Sequence, residues 1–323
     1  MADKEGGRFS WFSRSIASAV SRVRQQEFAY TQYSKRRSGV DTELVIGVDF
    51  GTSSSKLIIQ DVDRRKAYAV PFPGLAPSGH EYLLPTRVYL ASNGEFSLYT
   101  SGRELNLLMS KLFAGTSHRA SDGLPEIEPE VAAIGYLALV LRDARKFFIR
   151  SIAEDVSPGT IIWSVNAGLP EKFRQQAMTR ILEICVLAAW ECSTRQESIT
   201  VDLARYWLEK ASNAKNENGD TSYMEDREKD LHPEEVLAVP EVVAQVQGYA
   251  RSDHRRSGLH MMVDVGATTL DASTFTLFDR DDEDRYTMWE SRVAPLGAHS
   301  LHLHLLRSLS TSLGVESRHQ ARI

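Results

Sequence analysis

The sequence predicts a mixed α/β protein of two lobes, each a β-sheet flanked by helices. Three observations carry that expectation. Short apolar, β-branched runs alternate with stretches whose apolar residues recur at helical spacing. The 323-residue chain, 42% hydrophobic and 25% charged, is long enough to bury two cores. An opening strand, turn and strand, "VIGVDFGTSSSKLIIQDVD" at 45–63, is echoed by "LHMMVDVGATTLDASTFTLFD" at 259–279.

Residues 1–40 hold eight Lys or Arg against three Asp or Glu, with Trp11, Phe12, Ile16, Val20 and Val23 set among Arg14, Arg22 and Arg24. This reads as a basic N-terminal arm, partly disordered or an amphipathic helix for a partner or anionic surface. The first lobe is expected over 41–256. Val45–Val48 and Lys56–Gln60 read as strands around a Gly-containing turn, and "LLPTRVYL" at 83–90 as the third strand of a meander. A helix is expected over 131–150, where Ile134, Leu137, Leu141, Ala144 and Phe148 share a face. A strand follows at 160–170, then a helix from Glu171 to about Trp190 with Phe173, Ala177, Ile181, Ile184 and Ala188 on one side. Thr200 is placed to cap a short helix that has Asp202 in its first turn and packs Leu203, Tyr206 and Trp207. Residues 211–235, eight acidic against three basic, read as a solvated loop. "VLAVPEVVAQVQGYA" at 236–250 precedes a second lobe expected over 257–323, in which "DRDDEDRY" at 279–286 is a turn between strands.

Charge and cysteine usage narrow the function classes. A net charge of −5 excludes the global basic surface that nucleic-acid backbones require, so no nucleic-acid partner is expected. Cys185 and Cys192 lie about two helical turns apart, too far for a disulfide, and read as buried free thiols of a cytoplasmic protein. No apolar run reaches the length of a membrane-spanning helix, so no transmembrane segment is expected.

The two hairpins carry the chemistry. A tip whose glycine lets backbone approach closely presents N–H groups and hydroxyls to an anion, and a carboxylate just before it can hold a hydrated Mg²⁺. In the first hairpin Asp49 faces the metal side, Gly51 supplies the close approach, and Thr52, Ser53 and Ser54 donate to phosphate oxygens. In the second, Asp264, Gly266, Thr269 and Asp271 repeat the arrangement after Met261-Met262-Val263, so two carboxylates would face each other across a cleft. His299, His302 and His304 form another cluster, but 302 and 304 point apart on a helix, and packing or solvent exposure is the simpler reading.

These motifs resemble those of the actin-like ATPase superfamily, whose lobes have a ribonuclease H-like fold. "IGVDFGTSSSKLIIQD" is similar to its first phosphate motif and "MMVDVGATTLDAS" to its second. Between them "LLPTRVYL", "TIIWSVNAGLPEKFRQQAMTRIL" and "VPEVVAQVQGYA" resemble the DnaK-type (Hsp70-like) heat-shock chaperones, as does "APLGAHSLHLHLL" afterwards, so that the likeness spans about 43–308. The resemblance implies ATP and Mg²⁺ as ligands. Asp49 and Asp264 would hold the metal through water, Thr52 and Ser53 would touch the β- and γ-phosphates, and Gly266 and Thr269 would sit at the γ-phosphate with Ala267 and Thr268 in the same turn. Glu241 would orient or deprotonate the attacking water, and Lys111 of "SKLFAG" would neutralise charge on the γ-phosphate.

Three departures qualify the likeness. Ala267 and Thr268 stand where the chaperones have further glycines, which predicts slow or absent turnover, and Asn166 stands where the connecting strand usually ends in Pro. No Gly-Gly turn of the adenosine-holding kind follows Asp271, so the second lobe reads as incomplete and the helix from His299 to Leu309 should expose an apolar face. The expected function is a DnaK-like ATP-binding protein, with at most slow hydrolysis, that couples nucleotide state to a protein partner or client. The alternatives are a non-hydrolysing interaction subunit on the same fold, a sugar-kinase-like phosphotransferase and a filament-forming actin relative.

Overall fold

A computed structural model describes residues 42–120, 125–152, 161–169, 176–195, 198–216, 236–280 and 283–313. The basic arm at 1–40, Phe173, most of the acidic segment (217–235) and the stretch after Leu313 lie outside the described residues.

The central sheet grows from one alternating strand. In β1 (Thr42–Phe50) the side chains of Leu44, Ile46, Val48 and Phe50 are buried on one face, while Val45, Gly47 and Asp49 fall on the other. β2 (Ser54–Asp61) turns back beside it with Leu57 and Ile59 on the buried face. The turn needs Gly51, because a Cβ there would stand 2.5 Å from the Ser54 carbonyl oxygen. β3 (Lys66–Ala69) completes the antiparallel meander. On the opposite side of β1, β8 (Ile161–Leu169) and then β9 (Val236–Pro240) add in parallel, giving the order β3-β2-β1-β8-β9. The short β4 (Leu84–Pro85) pairs with the start of β2. The mixed sheet therefore carries a meander at one edge and parallel strands at the other.

The expected third strand at 83–90 is corrected. That stretch divides at Thr86, whose N–H is drawn to the Ser53 carbonyl at 3.0 Å. Its second half, β5 (Val88–Leu90), belongs to a separate antiparallel sheet with β6 (Phe96–Ser97) and β7 (Arg103–Leu105). α1 (Leu108–Ala114) follows that sheet.

Helices close the buried face of the central sheet. α2 (Pro129–Ser151) starts on a proline at its first position, where the missing N–H costs nothing. All five residues expected on its inner face are buried, and burial extends around the helix to Ala133, Tyr136 and Val140 because α3 (Gln176–Thr194) and α4 (Val201–Asn216) pack against it. Phe148, Trp163 and Trp190 interlock edge to face and tilted, joining α2, β8 and α3. Thr200 caps α4, accepting the Leu203 N–H at 3.2 Å. Residues 211–216, expected in the acidic loop, instead continue α4. Trp207 packs inward as expected, whereas Tyr206 is exposed. Both cysteines are free and buried within the α3 packing.

A second, smaller core forms on the third sheet. α5 (Glu241–Ala250) lays Val242, Val243, Val246 and Ala250 against Phe275 and Leu277. These last two come from β11 (Leu270–Arg280), which lies between β10 (Gly258–Val265) and β12 (Glu283–Ala294). Val239 at the end of β9 already packs with this second core, whereas Ala238 packs with the first. α6 (Ala298–Leu313) leaves Leu301, Leu305, Leu306 and Leu309 exposed, as expected of that helix. Among the described residues no helix is long and apolar enough to cross a membrane.

Candidate functional site

Strand alternation assembles the site at the carboxyl ends of parallel strands, where crevices form in open α/β sheets. Asp49 is near the end of β1, on the less buried face of the central sheet. Its direct antiparallel neighbour is Lys56, whose Nζ donates to Asp49 Oδ2 at 2.7 Å. On the parallel side Val48 is level with Ala167, so the next residues, Asp49 and Gly168, lie side by side. Asn166 sits within β8, paired in register with Gly47 and Leu237, so it forms no turn at the strand's end.

Gly168 makes room for Glu241. A Cβ on Gly168 would lie 3.3 Å from Glu241 Cγ and 3.6 Å from its Oε1. Glu241 follows Pro240 as the first residue of α5, and its side chain lies over Gly168 of β8. Burial, then the charges of Asp49, Asp264 and Asp271, push the Glu241 carboxyl up to about 7, with Lys56 opposing the rise. The same convergence is seen from Lys56: its hydrogen bond to Asp49 outweighs burial and raises its pKa, and Asp264 and Glu241 add to the rise. Carboxylates from both hairpins and the lysine of the first therefore act on one another.

Asp264 and Asp271 are opposite each other in the second hairpin. Asp264 Oδ2 accepts from Gln245 Nε2 at 2.6 Å, one turn along α5 from Glu241, and Asp271 Oδ2 accepts from Thr269 Oγ1 at 3.3 Å. Glu241, Gln245, Asp264, Asp271 and Ser273 line one small pocket with Met262 at its side. Like-charged carboxylates are brought together here at a cost in stability, and such clustering in a cleft makes this a candidate functional site.

The hairpin tips differ in where their polar groups go. Thr52, Ser53 and Ser54 lie at the first turn, Ser53 exposed and the other two half-buried. The fourth hydroxyl, Ser55, is buried and shares a 3.0 Å hydrogen bond with Thr86, a structural role. In the second turn the Gly266 N–H donates to the Thr269 carbonyl at 2.8 Å. The carbonyls of Gly266, Ala267 and Thr268 accept N–H groups of Ala298, His299 and Gly297 at 2.9, 2.8 and 3.2 Å, so the start of α6 holds this turn from behind. A Cβ at Gly297 would stand 2.4 Å from the Thr268 carbonyl carbon.

Lys111 is placed elsewhere. Its Nζ bonds His118 Nδ1 at 3.0 Å, and the charges that lower its pKa after burial are those of Arg103 and Arg119. Lys56 and Gly168 are the site residues that motif reasoning missed. A signal for Lys56 existed: once the turn is set at Gly51–Ser54, with Phe50 opposite Ser55, Asp49 and Lys56 are equidistant from it and pair.

Among the described residues no group of three or more His, Cys, Asp or Glu side chains stands close enough to bind a metal directly. Asp49 and Asp264, the carboxylates that the resemblance would give to a hydrated Mg²⁺, each accept a hydrogen bond from the protein, from Lys56 Nζ and Gln245 Nε2. No family model matches the chain, and no curated protein matches it.

Proposed function

We propose that the chain is an ATP-binding protein of the actin-like superfamily, closest in design to the DnaK-type branch, that hydrolyses ATP slowly and passes its nucleotide state to a protein partner or client. The observation that carries this reading is the meeting of Asp49 and Lys56 of one hairpin with Asp264 and Asp271 of another around Glu241. A meander extended by parallel strands in the first sheet, and a second meander bearing the same Asp-and-Gly turn, support the fold assignment.

In this reading the hydroxyls of Thr52, Ser53 and Ser54 donate to phosphate oxygens and Lys56 offsets their charge. Lys56 takes the role that the resemblance gives to Lys111. Glu241, titrating near neutrality, accepts a proton from the attacking water or fixes its lone pair toward phosphorus. Mg²⁺, when bound, neutralises charge developing on the transferred phosphoryl group. Catalysis depends on positioning and charge, with no covalent intermediate on the chain. Closure of the two cores around nucleotide is the motion a partner would sense.

A non-hydrolysing interaction subunit is the second reading, favoured by the Cβ atoms of Ala267 and Thr268 and by the commitment of that turn's carbonyls to α6. Single-turnover assays with Mg-ATP on the wild type and Glu241→Gln separate the two. The ATPase reading predicts nucleotide binding by both proteins and turnover slower by about 10²-fold in Glu241→Gln. Binding with equal, negligible turnover in both proteins, or no binding by either, would overturn the ATPase reading and favour the interaction subunit.

A further inference from the structure

A second polar cluster lies on the β5–β7 sheet and α1. Arg103 opens β7, Lys111 lies in α1, and His118 and Arg119 follow in the segment that pairs back on Ile127. His118 is 3% exposed and is fixed by two backbone hydrogen bonds with Ile127, at 2.8 and 3.0 Å. The ammonium of Lys111 can only donate, so His118 Nδ1 is its acceptor and the ring proton sits on Nε2. That Nε2–H is buried and has no hydrogen-bond partner. Arg103 donates from Nη1 to the Arg119 carbonyl at 3.0 Å, yet its Nε and Nη2 are also buried without a partner.

Buried donors are almost always satisfied, so three orphaned N–H positions in one neighbourhood require an explanation. Their surroundings are cationic: Arg103 acts on both Lys111 and His118, and Arg119 on Lys111. Glu104, next to Arg103 in β7, points to the opposite side of the strand and is engaged by Tyr89 and Arg87. The Nε–Nη2 edge of a guanidinium is the fork that grips two oxygens of an oxyanion at once.

We propose that Arg103, Lys111 and His118 form a binding site for a tetrahedral oxyanion, the chemistry of inorganic phosphate or of a phosphoryl group on a larger ligand. This site is separate from the carboxylate cleft and independent of whether that cleft binds ATP. Arg103 supplies the two-pronged grip, neutral His118 a single Nε2–H, and Lys111 charge and the fixed tautomer of His118.

Inorganic phosphate titrated into the full chain, followed by the His118 ring resonances and by calorimetry, tests the site. Saturable binding that perturbs His118 is expected, weakened about tenfold or more in Arg103→Gln and intact in Asp264→Ala. Arg103→Lys, which keeps the charge and loses the fork, should also bind more weakly, and the wild-type His118 shift stands without any variant. O-phosphoserine competing as well as phosphate would place a phosphoryl ligand at an open mouth, while preference for free phosphate would mark an enclosed site. No His118 shift up to about 20 mM phosphate, weaker than any specific site of this kind, would overturn the proposal. Binding lost in Asp264→Ala and kept in Arg103→Gln would overturn it too, and would locate the phosphate in the carboxylate cleft instead.

Discussion

The hairpins β1–β2 and β10–β11 share a local design and differ in what surrounds them. Both place an aspartate and a glycine at the end of an apolar strand and return antiparallel. β1 is then enclosed: β8 takes its free edge and the α2–α3 layer covers its apolar face, so that Ile46 is 0% exposed. Among the described residues β10 remains an edge strand, covered by α5 on one face alone. On its other face Leu259, Met261, Val263 and Val265 are 73, 67, 48 and 57% exposed. In these two hairpins strand identity follows from local sequence, while burial is conferred by later elements.

Truncating equivalent core-facing and outward-facing residues should break the symmetry most clearly. Ile46→Ala removes a fully buried side chain and is expected to cost about 2–5 kcal/mol, whereas Val263→Ala on the open face should cost less than about 1 kcal/mol, both read by chemical denaturation. Equal losses would mean that the open face of β10 is packed in solution.

Where the hairpins meet, the next largest effect should depend on pH. The Glu241 carboxyl sits at about 7 in the folded protein against 4.5 for the free group, so the folded state holds the extra proton between those values. Stability supplied by this group is full below about 4.5 and declines as pH rises through 7, where a poorly solvated charge appears. Glu241→Gln removes that charge and should stabilise the protein at pH 8 by at most about 3 kcal/mol, with little effect near pH 4. A pH-independent difference between the two melting curves would contradict this account.

The second turn can be disturbed from behind. Gly297→Ala forces a methyl group into the Ala267–Thr268 backbone and should cost about 1–3 kcal/mol while weakening nucleotide binding through displacement of the turn. Lys56→Gln should have the smallest effect on stability, within about 1 kcal/mol, because the pair with Asp49 is solvent-exposed. Its effect on Mg-ATP affinity should be far larger, which would separate a binding role from a folding one.

Much of this architecture was legible in the sequence. Periodicity located both hairpins, α2, β8 and the Thr200 cap, because each follows from local spacing or a single side-chain oxygen. The third strand was misplaced because "KAYA" in β3 has neither β-branched residues nor clear alternation, and pairing with β2 alone makes it a strand. The apolar side expected for the α3 segment was too narrow, with Ala177 exposed and Leu182, Cys185, Val186 and Trp190 buried, because packing on several sides overrides one amphipathic stripe. At the site, motifs pointed to Asp49, Asp264 and Glu241, whose mutual influence the structure adds. Gly168 carried no motif, since its role is to leave space for a side chain about 70 residues away in the chain.

The central claim is that two hairpins form a single phosphate cleft. Titration calorimetry of Mg-ATP into the wild type, Asp49→Asn, Asp264→Asn and the double variant tests it most directly. The account predicts that each single substitution weakens binding by about tenfold or more and that the double loses less than the sum of the two in free energy, the signature of residues acting on one ligand. Unchanged affinity in either single variant, or strictly additive losses, would contradict a shared cleft.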